Sequence, residues 1–212
     1  INTESNTTSE NVSASDSADV VSDADEENAT GFVFSDDGIS VSEGKYAGYK
    51  VDGTSLTINE SGTYIVSGSS KNGSIKIKKG TVGVTLILKN LDLTSDSTAP
   101  IVCAKSSEVN IIVSGTNSLA DSSLNNADEN TDNADAENAV MKFKDGSNVV
   151  ISGSGTLKLT ANAKNGIKSG ESTETDGEAS LTIKDLTLII NAPENDGINA
   201  GSTLDILSGN IT

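Results

Sequence analysis

The chain has 212 residues and carries fourteen Lys but no Arg and no His, against thirty-one acidic groups, for a formal net charge of −17. Without His there is no imidazole base and no imidazole-built zinc site, and one Cys cannot supply a thiolate cluster, so Ser-His and Cys-His hydrolases are excluded. The missing Arg and the negative charge argue against a nucleic-acid partner, and no run approaches the ~20 apolar residues that would insert into a membrane.

Residues 1–31 are Ser, Thr, Asn, Asp, Glu and Ala with almost nothing to bury, a composition that predicts a disordered acidic linker. Eight acids fall in residues 1–30, six in 121–138 and four more at Glu171, Glu174, Asp176 and Glu178, which leaves thirteen against the fourteen Lys in the remaining body. The body is therefore close to neutral, and the acidity belongs to a tail and two loops.

From Phe32 the texture changes to short β-branched runs of alternating polarity, broken by Gly, Asn, Asp and Ser. Residues 32–73, which hold all three Tyr, read as an N-terminal β cap with an entry hairpin. Strands are predicted next at 74–77, 84–88, 109–113, 149–151, 157–160, 181–183, 186–190 and 204–207, after earlier ones at 55–58 and 63–66. Cys103, inside the apolar run Ile101-Val-Cys-Ala104, is expected to be a buried small hydrophobe.

These runs recur as a set. Val113-Ser-Gly-Thr-Asn-Ser-Leu119 matches Ile151-Ser-Gly-Ser-Gly-Thr-Leu157, and Leu207-Ser-Gly-Asn-Ile211 begins the phrase again. A second phrase, read as a small polar turn followed by an apolar residue, appears as Asn138-Ala-Val140, Asn165-Gly-Ile167 and Asp196-Gly-Ile198. A unit of roughly 25 residues with insertions between strands is the pattern of a solenoid. The predicted fold is an all-β, right-handed parallel β-helix with three short strands per coil, spanning 74–212. The sequence stops at Thr212 part-way through a unit, so the natural chain is expected to continue, or to self-associate through an uncapped C-terminal coil.

The stretch from Asn195 to Thr212, Asn-Asp-Gly-Ile-Asn-Ala-Gly-Ser-Thr-Leu-Asp-Ile-Leu-Ser-Gly-Asn-Ile-Thr, resembles the repeating coil of a bacterial carbohydrate-binding β-helix family, formerly a domain of unknown function. Residues 55–68 resemble that family's entry hairpin, and the likeness spans about residues 32–212. Asn195 stands where the family pattern has Asp, Asn199 where His is frequent, and Ser208 where the first Gly of a pair is usual. The resemblance implies a pectate-lyase-like fold in a secreted or cell-surface-attached, calcium-containing module. It implies binding of cellulose or of acidic polysaccharides such as polygalacturonate, without catalysis.

Stacking the units places Asn138, Asn165 and Asp196 at one turn of successive coils. Two readings stand there: an asparagine ladder bonding to backbone, or an oxygen-rich calcium site including Asn195, with Glu137 beside the coil. The acids of the 121–138 insertion, among them Asp128, Glu129, Asp132 and Asp135, lack EF-hand spacing and read first as a solvated loop. An acidic polymer bridged to protein carboxylates by calcium needs no aromatic platform, and the body from Gly68 onward has Phe143 alone. One alternative function is a surface adhesin or structural spacer. Another is a calcium-dependent pectate lyase using Lys164 or Lys168 as base, a weak one while solvated near its ordinary pKa of about 10.4.

Overall fold

A computed structural model describes residues 23–122, 125–127 and 133–212. Residues 1–22 of the acidic segment, and Asp128, Glu129 and Asp132 of the insertion, lie outside them. A six-residue helix, α1 (Asp23–Asn28), leads into β1 (Thr30–Ser35), β2 (Gly38–Val41), β3 (Tyr49–Asp52), β4 (Ser55–Ile58), β5 (Gly62–Ser70) and β6 (Ser74–Ile77). Then come β7 (Val84–Ser95), β8 (Ile101–Cys103), β9 (Glu108–Ser114), β10 (Thr116–Asp121), β11 (Ala139–Phe143), β12 (Asn148–Ser152) and β13 (Thr156–Thr160). The chain continues through β14 (Asn165–Ser169), β15 (Ser180–Ile183), β16 (Thr187–Asn191), β17 (Ile198–Ala200), β18 (Thr203–Ile206) and β19 (Asn210–Ile211). The protein is all-β apart from α1, and no helix among the described residues is long and apolar enough to cross a membrane.

The strands form two sheets. The larger, of twelve strands, runs β18-β15-β12-β9-β7-β10-β13-β16-β19, with β5, β1 and β2 branching from β7. Strand numbers fall toward β7 and rise away from it, so chain neighbours such as β9 and β10 occupy opposite arms at equal distance from β7. Because one or a few residues join each such pair, the two arms must face one another, and the sheet is curled like a half-barrel. The smaller sheet, β17-β14-β11-β8-β6-β4-β3, has seven strands. Both are mixed: their ladders are parallel except for the antiparallel pairs β1 with β2 and β3 with β4.

This corrects the right-handed parallel β-helix with three separate strands per coil, and with it the solenoid expected from the recurring phrases. There are two sheets where three were expected, because β7 is continuous over twelve residues and belongs to both arms. Its first half pairs with β9 and its last residues with β10, while β5 pairs along most of its length. Asn90 bends it with a φ of 55°. The side-chain oxygen of Asn90 accepts from the Thr116 N–H at 3.0 Å, and that of Asn117 accepts from the Leu91 N–H at 2.8 Å, so the corner is bonded rather than open. The recurrent Ser-Gly phrases are the same corner in later strands, with Gly115, Gly153 and Gly209 all at positive φ.

Alternation explains what the sheets enclose. In β6, Ile75 and Ile77 are fully buried while Ser74 and Lys76 face out, the two-residue period of a strand with one dry face. Leu56, Ile75, Ile101, Met141 and Ile167 stack in register across the small sheet, each at most 1% exposed. They meet matching ladders of the large sheet, such as Leu86, Ile111, Ile151 and Ile183, in one core. Toward the last strands burial fades: Ile206 is 52% and Leu207 67% exposed.

Candidate functional site

The outer face of the seven-stranded sheet carries one row of side chains set by register. Lys50 pairs with Thr57, Thr57 with Lys76, Lys76 with Val102, Val102 with Lys142, Lys142 with Lys168, and Lys168 with Asn199. Met141 and Phe143 on either side of Lys142 are buried, as is Ile167 before Lys168, so both Lys side chains must leave by the outer face. Strands lie ~4.8 Å apart, which puts Lys142 and Lys168 one spacing apart and Lys76 two spacings from Lys142. A pocket of about 280 Å³ opens on this face around Ser55, Thr57, Ser74, Lys76 and Val102, with Asp135 and Glu137 of the insertion at its side. Seven of its fifteen lining residues are Ser or Thr, whose hydroxyls donate and accept in the same way as the hydroxyls of a sugar.

Most acids near this face are committed elsewhere. Glu137 pairs with Lys144 at 2.5 Å, and Asp145 with Lys105 at 2.9 Å. Asp176, only 7% exposed at its side chain, joins Lys105 at 2.9 Å and Lys79 at 3.3 Å. Lys105 holds both carboxyls below the usual carboxylate range, helped at Asp145 by the Glu171 N–H and at Asp176 by Lys79. Neither Lys142 nor Lys168 has an ion pair among the described residues. Lys142 is half-buried, and burial together with the like charge of Lys168 pulls its ammonium below the ordinary lysine pKa.

The residues named for calcium divide. Asn138, Asn165 and Asp196 lie side by side where the chain enters β11, β14 and β17: the Asn165 backbone N–H donates to the Asn138 carbonyl at 3.2 Å, and the Gly166 N–H to the Asp196 carbonyl at 3.1 Å. Asn165 is 1% exposed, its Nδ2 donates to the Asn138 carbonyl at 2.9 Å, and its Oδ1 has no hydrogen-bond partner among the described residues. Asn138 holds the left-handed φ of 52° that lets the turn form. Asn195 and Asp196 are exposed, and the Asp196 carboxylate accepts from Asn199 Nδ2 at 2.7 Å. Calcium takes six to eight oxygens around one point. Here Glu137 is turned to Lys144, Asp196 to Asn199 and Asn165 to the interior, so this set as arranged does not fit the ion. Among the described residues no group of three or more acidic, Cys or His side chains is gathered for a metal.

Residues 52–212, most of the chain, match the protein family described as "Carbohydrate-binding domain-containing protein". The chain belongs to that carbohydrate-binding domain family. No curated protein matches it. Among solved structures it is similar to a polysaccharide lyase-like protein from C. thermocellum, described as a gadolinium derivative. The identity is 19%, with 87% of this chain and 97% of that chain covered and a TM-score of 0.49.

For a carbohydrate-binding domain, the position of the aromatic side chains is informative. Phe32, Phe34, Tyr64 and Phe143 are buried, and Tyr46 and Tyr49 pack against the core, so none forms a flat outward platform for a sugar ring. Polar and charged contacts must then supply recognition. Sequence reasoning named Lys168 only as a possible base, and Lys142 not at all. The signal was present as a Lys directly after an apolar residue in two successive units, Met141-Lys-Phe143 and Ile167-Lys-Ser169. Cys103 is fully buried and burial pushes its thiol far up, which leaves it an inert core side chain.

Proposed function

We propose that this carbohydrate-binding domain is a non-catalytic module, displayed outside the cell, that seats a polysaccharide chain on the outer face of its seven-stranded sheet. The observation that carries the reading is the pocket rich in hydroxyls on the same face as the Lys76–Lys168 row. Acidic plant cell-wall glycans of the polygalacturonate type suit this face better than cellulose, because cations face outward and aromatic rings do not. Calcium dependence is the open arm of the reading, since a cation bridging glycan to protein carboxylates would have to draw on acids beyond those already paired. Co-sedimentation with insoluble polygalacturonate and with cellulose, each with calcium and with EDTA, tests it. Greater retention on polygalacturonate than on cellulose is expected, and failure to bind either polymer under both conditions would overturn the proposal.

A second reading, polysaccharide lyase, is favoured by one observation only: Lys142 is desolvated and crowded by another cation, the condition under which a lysine becomes a base. It would take the proton beside the uronate carboxylate as a C=C bond forms and the glycosidic C–O bond breaks, the leaving oxygen taking a proton from water. The same polygalacturonate incubations, read for absorbance of unsaturated product, are expected to show none.

A further inference from the structure

We infer that Lys142 and Lys168 together form a seat for a carboxylate of the bound glycan, so that uronate chains are held by direct lysine contacts without a bridging cation. The inference rests on the polysaccharide-binding reading above and adds to it the side chains that hold the glycan carboxylate and a binding mode that needs no cation. Three observations and one physical argument carry it. The two side chains leave the same face of adjacent strands in exact register, Lys142 opposite Lys168, about one strand spacing apart. Neither has an ion pair among the described residues, and the two acids whose charge reaches Lys142 are paired with other cations, Glu137 with Lys144 and Asp145 with Lys105, while Asp196 beside Lys168 accepts from Asn199. Like charges side by side on a sheet are destabilising, and an anion between them converts that repulsion into two attractions. Finally, Lys76 and its pocket rich in hydroxyls lie on the same face two strands from Lys142, beyond the buried Val102, so neighbouring sugars of a chain anchored at the lysine pair come within reach of further polar groups.

The seat also explains how a chain of net charge −17 would accept a polyanion. Long-range repulsion is screened beyond about 8 Å at physiological salt, whereas contacts at a half-buried pair are screened much less. A uronate polymer presents a carboxylate on every sugar, and one of them opposite Lys142 and Lys168 suffices to set the register of the rest.

Affinity for soluble polygalacturonate, for its fully methyl-esterified form, for a soluble neutral glucan and for poly-L-glutamate is to be measured by isothermal titration, with calcium and with EDTA. The proteins are the wild type, the Lys142→Met/Lys168→Met double variant, and Lys158→Met as a control on the other sheet. Wild type and Lys158→Met should bind polygalacturonate alike in EDTA, the double variant about tenfold more weakly or worse, and methyl esterification of the polymer should reproduce that loss. The double variant should melt no lower than wild type, which separates lost contacts from lost fold. Unchanged affinity in the double variant, binding abolished by EDTA in the wild type, or poly-L-glutamate bound as tightly as polygalacturonate would each overturn the inference. If the ester or neutral glucan binds as well as polygalacturonate, the inference fails and the module reading stands. If no polysaccharide binds, both fail.

Discussion

Asp121 is the residue on which the sequence reading and the structure differ most. In the sequence it opens an acidic stretch and reads as part of a solvated loop. In the structure it is the last residue of β10, 1% exposed, and its carboxylate accepts from Asn126 Nδ2 at 2.8 Å, the Asn162 N–H at 2.7 Å and the Ala163 N–H at 3.2 Å. Burial pushes its pKa up, partly offset by those donors. The group ties the start of the insertion to the turn between β13 and β14, directly before the strand that carries Lys168. Asp121→Ala would leave three donors without their acceptor, and a loss of about 2 to 3 kcal/mol in urea denaturation is expected. A loss below about 0.5 kcal/mol, the level of an ordinary surface substitution, would mean that the carboxylate does not hold this turn.

The decisive element is β7, because the difference between two sheets and three lies in its bend. Later strands repeat that bend with a glycine: at Gly153 the φ is 119°, and an added Cβ would stand 2.4 Å from the Val113 carbonyl oxygen. Gly53, at φ 58°, has nothing within 4 Å of the same added atom. Gly153→Ala is therefore expected to cost about 1 to 3 kcal/mol and to lower the thermal midpoint more than Gly53→Ala, which bears only the ~1 kcal/mol conformational penalty. Equal midpoints in the two variants would contradict a packed corner. Period-two alternation made the arms of the large sheet legible: 109–113, 149–151, 157–160 and 181–183 all fall within observed strands. Of the strands that carry the candidate site, β4 and β6 were legible as 55–58 and 74–77, whereas β11, β14 and β17 were not. Asn138-Ala-Val140, Asn165-Gly-Ile167 and Asp196-Gly-Ile198 were read as turns, because Asn, Gly and Asp have low strand propensity. Tertiary pairing overrides it: these phrases lead into or lie within β11, β14 and β17. With those strands unread, the register that sets Lys142 beside Lys168 was invisible, and the stacked asparagines drew attention to metal chemistry instead.

At the scale of the molecule, charge is distributed by face rather than by sum. The acidic 171–178 turn is not merely solvated, since Asp176 clamps Lys79 and Lys105 across units, while Glu26 takes Lys89 at 2.6 Å. Cations near those acids are neutralised, and Lys76, Lys142 and Lys168 are left to define the outer face of the small sheet. The central claim is that this face holds the glycan. Lysine acetylation read by mass spectrometry, with and without saturating oligogalacturonate, tests it most directly, because every reporter is already in the chain. The account expects Lys142 and Lys168 to be protected most, Lys76 next, and Lys45 and Lys158 to react as in the free protein. Protection at Lys158 with Lys142 and Lys168 unchanged would place the glycan on the large sheet and contradict it.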